Sequence, residues 1–149
     1  KRDSQLNFII NLTIELLSIQ FIRVRGRSME PAISERSWVI AFKAGFRKRD
    51  PARFDVVRLE DPRSAGHWIM KRIVGLPGEE VALREGELFI DGEPVTDSYA
   101  YCPDPQIDNH EWCPRDDELV VLGDNRMAST DSRKFGPVKR SSLRGHVRS

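Results

Sequence analysis

Ser28 is the first residue whose type and position are suited to chemistry. The six residues before it alternate between apolar or small side chains and arginines, which is typical of a strand with one packed and one wet face. Ser28 continues the face of Ile22, Val24 and Gly26, and Pro31 then turns the chain because its ring fixes φ. A hydroxyl at the end of a strand is a candidate nucleophile, although a serine that simply begins a turn is more common.

Lys71 is the second candidate. It lies in a predicted strand over residues 67–73 and shares a face with Ile69 and Ile73. A lysine among apolar neighbours loses solvation, which lowers its pKa, and a neutral lysine can accept a proton from a serine. The alternative is a lysine whose stem covers apolar surface while its ammonium group reaches water.

The third candidate region follows a predicted buried strand at residues 119–122. Residues 123–138 concentrate groups that form hydrogen bonds, which is typical of an elaborate turn or of the residues that support a site. The groups in question are Asp124, Asn125, Ser129, Asp131, Ser132 and Arg133.

The length and composition are those of one soluble domain with a core, or of one such domain plus an appendage. The chain has 149 residues, of which 39% are hydrophobic and 32% charged, and its formal net charge is +1. This balance argues against a general nucleic-acid binder, which usually has a strong basic excess.

Residues 1–21 are predicted to form a helix with a polar stripe along residues 4–18. Its apolar part would measure about 25 Å, which is marginal for crossing a bilayer. The helix therefore either spans a membrane, lies in the lipid interface, or docks on a core or on another copy. Its expected partners are membrane lipid and, through the polar stripe, other membrane helices.

Residues 22–149 are predicted to be mainly β, with strands near residues 38–42, 54–59, 68–74 and 119–122 and a hairpin over 81–90. Residues 99–117 contain three prolines and no clean periodicity, which predicts a loop excursion.

Two cysteines, Cys102 and Cys113, lie in that excursion. They are interpreted as a disulfide, as free thiols, or as part of a zinc site with His110 that lacks a clear fourth ligand. The disulfide is favoured if the domain lies outside the cytoplasm.

Three segments together resemble the sequence boxes of type I signal peptidases, the membrane-anchored Ser/Lys proteases that remove signal peptides from exported proteins. They are residues 28–31, 71–78 and 123–138, and a weaker box corresponds to residues 53–57. The resemblance spans most of residues 22–138. It implies an antiparallel sheet or partly open barrel behind one N-terminal membrane helix, no metal or cofactor, and a location at the cell membrane with the catalytic domain on the extracytoplasmic side.

The resemblance also implies a role for individual residues. Ser28 would be the nucleophile, with its N–H serving the oxyanion hole, Lys71 the general base, and Ser129 the group that orients the lysine amine. Asp124 would pair with Arg72 and Asp131 with Arg133, with Asn125 and Ser132 in the same supporting region. The pockets for small substrate side chains, as in Ala-x-Ala sites, would be lined by Ile22, Val24, Gly26, Met29, Ile33 and Met70.

Two departures from the family's pattern bear on the site. Gly26 stands where some members carry a serine whose hydroxyl completes the oxyanion hole, and Phe54 stands where glycine is usual. Two alternatives to a signal peptidase are an inactive relative that binds peptides and a self-cleaving repressor-type protease. The second would need a DNA-binding module, which the sequence does not show.

Overall fold

The computed structural model describes residues 19–43, 46, 49–102 and 109–148. Within these ranges eleven strands form two antiparallel sheets. The seven-stranded sheet has the order β1-β2-β11-β3-β4-β9-β10, and the four-stranded sheet has the order β7-β6-β5-β8.

The strands are β1 (Ile19–Arg23), β2 (Trp38–Phe42), β3 (Val56–Glu60), β4 (Trp68–Gly75), β5 (Val81–Arg84), β6 (Glu87–Ile90), β7 (Glu93–Val95), β8 (His110–Trp112), β9 (Glu118–Leu122), β10 (Val138–Lys139) and β11 (Leu143–Arg148). A short helix, α1 (Ser132–Phe135), follows β9, and single 3₁₀ turns cover Arg126–Ala128 and Arg140–Ser142.

The larger sheet is covered on both faces. Neighbouring residues on one strand face different core clusters: Val56 packs with Val24 and Met29, whereas Val57 packs with Ile73 and Val121. Burial on both faces explains why several of its strands are continuous apolar runs rather than alternating ones. A third cluster, which includes Val74, Val81 and Leu122, joins the two sheets.

The larger sheet is curled and open. The side chain of Arg58 on β3 reaches Gln20 on β1, past the two intervening strands β2 and β11, with Nη1 2.9 Å from Oε1. Flat neighbouring strands lie about 4.8 Å apart, so this contact requires the sheet to curve. Among the described strands, β1 and β10 form its two edges and do not pair with each other. The predicted antiparallel, partly open architecture is confirmed.

Several predictions at the level of elements need correction. The predicted helix over residues 1–21 overlaps β1, because residues 19–21 are paired with β2; residues 1–18, with the polar stripe, lie outside the described residues. The predicted excursion over residues 99–117 contains β8, which pairs with β5, and residues 103–108 also lie outside the description. Among the described helices, none has the length and apolar character needed to cross a bilayer.

Candidate active site

Ser28 lies in the loop between β1 and β2. The strand that was predicted to continue to Ser28 ends at Arg23. The loop is closed at its base by Val24, whose N–H donates to Ser37 O at 2.9 Å and whose carbonyl accepts from Arg36 N at 3.0 Å. Met29 and Ile33 are buried in the core, and the Ile33 N–H donates to Met29 O at 2.8 Å. These buried anchors hold Ser28 in a fixed and partly exposed position.

Lys71 reaches Ser28 from β4. Its Nζ lies 2.9 Å from Ser28 Oγ and donates to Met70 O, also at 2.9 Å. The residue is only 3% exposed. Burial lowers the pKa of Lys71 from 10.5 to about 8, against the opposing charges of Asp131, Asp61 and Asp124. Of the two alternatives that the sequence left open, Lys71 is the buried lysine and not one whose ammonium group reaches water, and its amine is suited to accept the serine proton.

Gly123 lies where β9 meets the Ser28 loop. A Cβ atom on this residue would come within 2.2 Å of Ser129 Oγ and 2.6 Å of Ser28 O, so no larger residue fits there. Two residues on, the N–H of Asn125 donates to Ser28 O at 3.0 Å. The backbone after β9 is thus in direct contact with Ser28. The sequence analysis did not single out Gly123 as a candidate.

Ser129 lies beside Gly123, where β9 contacts the Ser28 loop, but its hydroxyl is not bonded to Lys71. Its Oγ is buried and has no hydrogen-bond partner at normal geometry, so the expected bond to the Lys71 amine is not formed. The hydroxyl does lie near Asp131 and contributes to the electrostatic environment of that carboxyl.

Arg72 and Asp124 form a buried pair on the side of β4 opposite Lys71. Arg72 Nε and Nη2 donate to the two carboxylate oxygens at 2.8 and 2.7 Å. Burial nevertheless holds the pKa of Asp124 above its usual value. Arg72 also donates to Phe54 O at 2.8 Å and stacks 3.6 Å from the Tyr99 ring centre. This arginine links β4 to the turn that follows β9 and to the segment just before β3.

Phe54 adopts the conformation that its glycine-like position predicts. Its φ is +70°, in the left-handed region that glycine favours. The ring packs against Tyr99 with centroids 5.5 Å apart, and these contacts offset the backbone strain.

Asp131 and Arg133 hold the second half of the turn. Asp131 is completely buried, and its carboxylate accepts from Arg133 Nε at 2.9 Å and from Gly123 N at 3.0 Å. Burial raises the pKa of Asp131, but the ion pair with Arg133, the Gly123 N–H and the nearby Ser129 hydroxyl together hold the pKa below its usual value. Ser132 Oγ accepts from Val121 N at 2.9 Å, and Asn125 Oδ1 accepts from Ala128 N at 3.3 Å. The predicted supporting residues are therefore brought together.

Arg126 is a buried residue that the sequence analysis missed. Its Nε donates to Gly123 O at 3.0 Å, and its Nη2 pairs with Asp97. The density of charged and polar residues after β9 was the available signal, but nothing in that pattern separates a buried arginine from an exposed one.

A cleft of about 200 Å³ opens beside Ser28 and Lys71. Five of the six predicted pocket residues line it, namely Ile22, Val24, Gly26, Met29 and Met70. The sixth, Ile33, lies in the core and faces a different depression with Ala32 and Arg72. The cleft is also lined by Arg23, Arg25, Arg58, Trp68 and Ile69, which were not predicted. Gly26 offers no side-chain donor, and its N–H is bonded to Glu35 Oε1 at 3.3 Å.

Cys102 and Cys113 are both free and exposed, so the favoured disulfide is not formed in the structure. Among the described residues, no group of His, Cys, Asp and Glu side chains is arranged to hold a metal ion.

The chain is similar in sequence to proteins of a known family. A family profile described as "Signal peptidase, peptidase S26" matches residues 5–149. This chain belongs to the signal peptidase family. The match includes Ser28, Lys71 and the whole of the turn after β9.

Individual signal peptidases are similar over much of the chain. A "Probable signal peptidase I-2" from Synechocystis sp. is 36% identical over 129 residues, or 83% of this chain, and this chain spans 59% of its length. "Signal peptidase I V" from Bacillus subtilis is 29% identical over 91% of this chain and 89% of its own. The crystal structure of a signal peptidase I from Enterococcus faecalis superposes with a TM-score of 0.58 at 32% identity, and covers 66% of this chain and 97% of that one.

Proposed function

We propose that this chain is a serine endopeptidase that removes signal peptides from exported preproteins by means of a Ser28/Lys71 dyad. The observation that carries the proposal is the 2.9 Å contact between Lys71 Nζ and Ser28 Oγ in a buried environment. Membership of the signal peptidase family supports the substrate class.

In the proposed reaction, neutral Lys71 takes the proton of Ser28 as Oγ attacks the carbonyl carbon of the scissile bond. The lysine then gives that proton to the leaving amine, which leaves an acyl-enzyme ester on Ser28. Water, deprotonated by the same lysine, hydrolyses the ester. The Ser28 N–H has no acceptor within the described residues and is free to donate to the oxyanion.

The substrate would lie in the cleft as an added strand beside residues 22–26. The apolar lining from Val24, Met29 and Met70 fits small side chains before the cut, as in an Ala-x-Ala site. Ser129 and the two ion pairs, Arg72–Asp124 and Asp131–Arg133, would act as positioning groups that fix the backbone on which the dyad depends.

The family also supports a location at the cell membrane, with the catalytic domain on the extracytoplasmic side where signal peptides emerge. Lipid is the partner proposed for residues 1–18, and other membrane helices are proposed to contact them through the polar stripe of residues 4–18.

The test is cleavage of a preprotein with an Ala-x-Ala site in detergent or liposomes, with the cut position fixed by product mass. Wild type should cut after the last alanine. Ser28→Ala and Lys71→Arg should each lose at least about a thousandfold in rate, because one removes the nucleophile and a guanidinium does not deprotonate.

The matched control is Lys139→Arg, the same substitution at an exposed lysine, which should leave the rate unchanged. Cleavage retained by Lys71→Arg would remove this lysine from the mechanism, and no cleavage by folded wild type would refute the proposed activity.

A further inference from the structure

The cleft beside the dyad carries more positive charge than the proposed chemistry uses. Its lining includes Arg23, Arg25, Arg58 and Lys71, and no carboxylate among the described residues lines it. Lys71 is accounted for as the base. The three arginines have no part in proton transfer.

Two of these arginines stand at the rim. Arg23 and Arg25 are exposed, and neither forms an ion pair with a described residue. Their neighbour Arg27 differs, because its Nε is bonded to Glu30 at 3.0 Å. Within the described part of the chain, Glu35 is an acidic side chain at this side of the cleft, but it is bonded to Gly26 N and is not ion-paired with Arg23 or Arg25.

Arg58 is fixed within the cleft. It faces Met70 across the β3–β4 ladder, so the two side chains lie on the same face of the sheet. Its Nη1 donates to Gln20 Oε1 at 2.9 Å, and its guanidinium stacks 4.6 Å from the Trp68 ring centre. The side chain thus crosses from β3 to the edge strand β1 and bounds the cleft.

The guanidinium of Arg58 has unused capacity for hydrogen bonds. Of its five N–H groups, only the one directed at Gln20 has a partner among the described residues. Partial burial lowers the pKa of Arg58, since its charge is desolvated without a carboxylate nearby. An anion delivered into the cleft would relieve this cost.

We propose that Arg58, assisted by Arg23 and Arg25, makes the cleft select peptides that carry an acidic residue on the amino-terminal side of the scissile bond and disfavour basic ones. The inference rests on the proposed function, in which the same cleft holds the residues that precede the cut. A substrate carboxylate would accept from the fixed guanidinium, and a lysine at the same place would meet like charge.

The experiment measures peptide binding and cleavage separately. Each peptide has an Ala-x-Ala site and one varied position, which is the second, fourth, fifth or sixth residue before the cut. Glu, Gln and Lys are compared at each of these positions. Binding is measured by fluorescence anisotropy on the full chain with Ser28→Ala, and kcat/KM on the chain with Ser28 intact. At one or more positions the Glu peptide should bind about tenfold more tightly than the Lys peptide, with a matching ratio in kcat/KM. Added salt should reduce the ratio.

The variant Arg58→Gln should abolish most of this preference, because it replaces the guanidinium that reaches Gln20 with a shorter, uncharged amide. Arg144→Gln is the matched control: it removes another guanidinium that stacks on Trp68, at 5.7 Å from the ring centre, and lies outside the cleft. That variant should keep the preference.

Equal binding of Glu and Lys peptides at every position would overturn the inference, as would a preference that survives Arg58→Gln. Binding that prefers Glu without any cleavage by the Ser28 chain would support charge selection and refute the peptidase proposal, so the two failures are distinguishable.

Discussion

At the scale of single residues, the proposed chemistry depends on how the surroundings of Lys71 act on its charge. Burial lowers the pKa to about 8, while Asp131, Asp61 and Asp124 oppose that shift. An exposed lysine would be neutral in roughly one molecule in 2,500 at pH 7, whereas a lysine with this pKa is neutral in about one in ten. Burial thus increases the fraction of active base without making the amine too weak to accept a proton.

The cleavage rate should therefore rise with pH. The neutral amine is the active form, so kcat/KM should follow deprotonation of Lys71 and increase about tenfold from about pH 7 to about pH 9, with a midpoint near 8. The measurement is kcat/KM for one neutral peptide across that range, with circular dichroism at each pH to show that the fold is intact. A rate that is constant across the range in folded protein would contradict the assignment of Lys71 as the base.

At the scale of elements, the sequence predicted burial better than pairing. The alternating pattern before Ser28 correctly predicted that Val24 is buried. It did not predict where the pairing of β1 with β2 ends. Strand β1 stops at Arg23 because β2 begins opposite it at Trp38, and Gly26 then takes a φ of +88°. The site loop thus begins five residues earlier than the pattern indicated, at residue 24 instead of residue 29.

Strand β11 was not predicted because its pattern is weak. Of its six residues, only Gly145 and Val147 are buried, and a glycine gives no hydrophobic signal. Its pairing with both β2 and β3 is what makes it a strand, and such long-range partners do not show in a local pattern. The turn after β9 could be predicted because its polar residues are dense and match the family's longest box.

Gly123 provides a test of how closely β9 must approach the Ser28 loop. Gly123→Ala would place a Cβ within 3.0 Å of the Ser28 carbonyl and of Ser129, so one of these segments must shift. Because misplacement by a fraction of an ångström weakens catalysis, kcat/KM should fall by about tenfold or more. The measurement is peptide cleavage by the purified variant, alongside its thermal unfolding.

Gly78→Ala is the control for a general loss of stability. Gly78 has open space around it but a φ of +80°, so alanine there should cost about 1 kcal/mol of folding free energy and leave kcat/KM unchanged. If Gly123→Ala cleaves at the wild-type rate, the close approach has no role in positioning Ser28.

At the scale of the whole molecule, the two proposed catalytic residues belong to parts of the larger sheet that β11 joins in the ladder of described strands. Ser28 lies between β1 and β2, whereas Lys71 lies on β4, next to β3 and β9. Strand β11 pairs with β2 on one side and β3 on the other, and its Val147 is buried in the same core cluster as Met29. Ser28 and Lys71 both lie within the segments that resemble the family's sequence boxes. Strand β11, which holds β2 next to β3, lies after the last of these segments.

A chain that ends at Ser142 retains Ser28, Lys71 and all of residues 123–138 and should nevertheless be inactive. Without β11 the edges of β2 and β3 lose their partners, and the Ser28 loop is no longer held opposite Lys71. We expect at least about a thousandfold loss of peptide cleavage and no cooperative thermal transition, because removing a central strand leaves two sheet fragments with exposed cores. A chain that ends at Arg148 keeps all of β11 and is the control; it should unfold cooperatively and cleave at the full rate. A folded and active chain ending at Ser142 would show that contacts outside the sheet, such as the Asn125–Ser28 hydrogen bond, are sufficient to assemble the dyad.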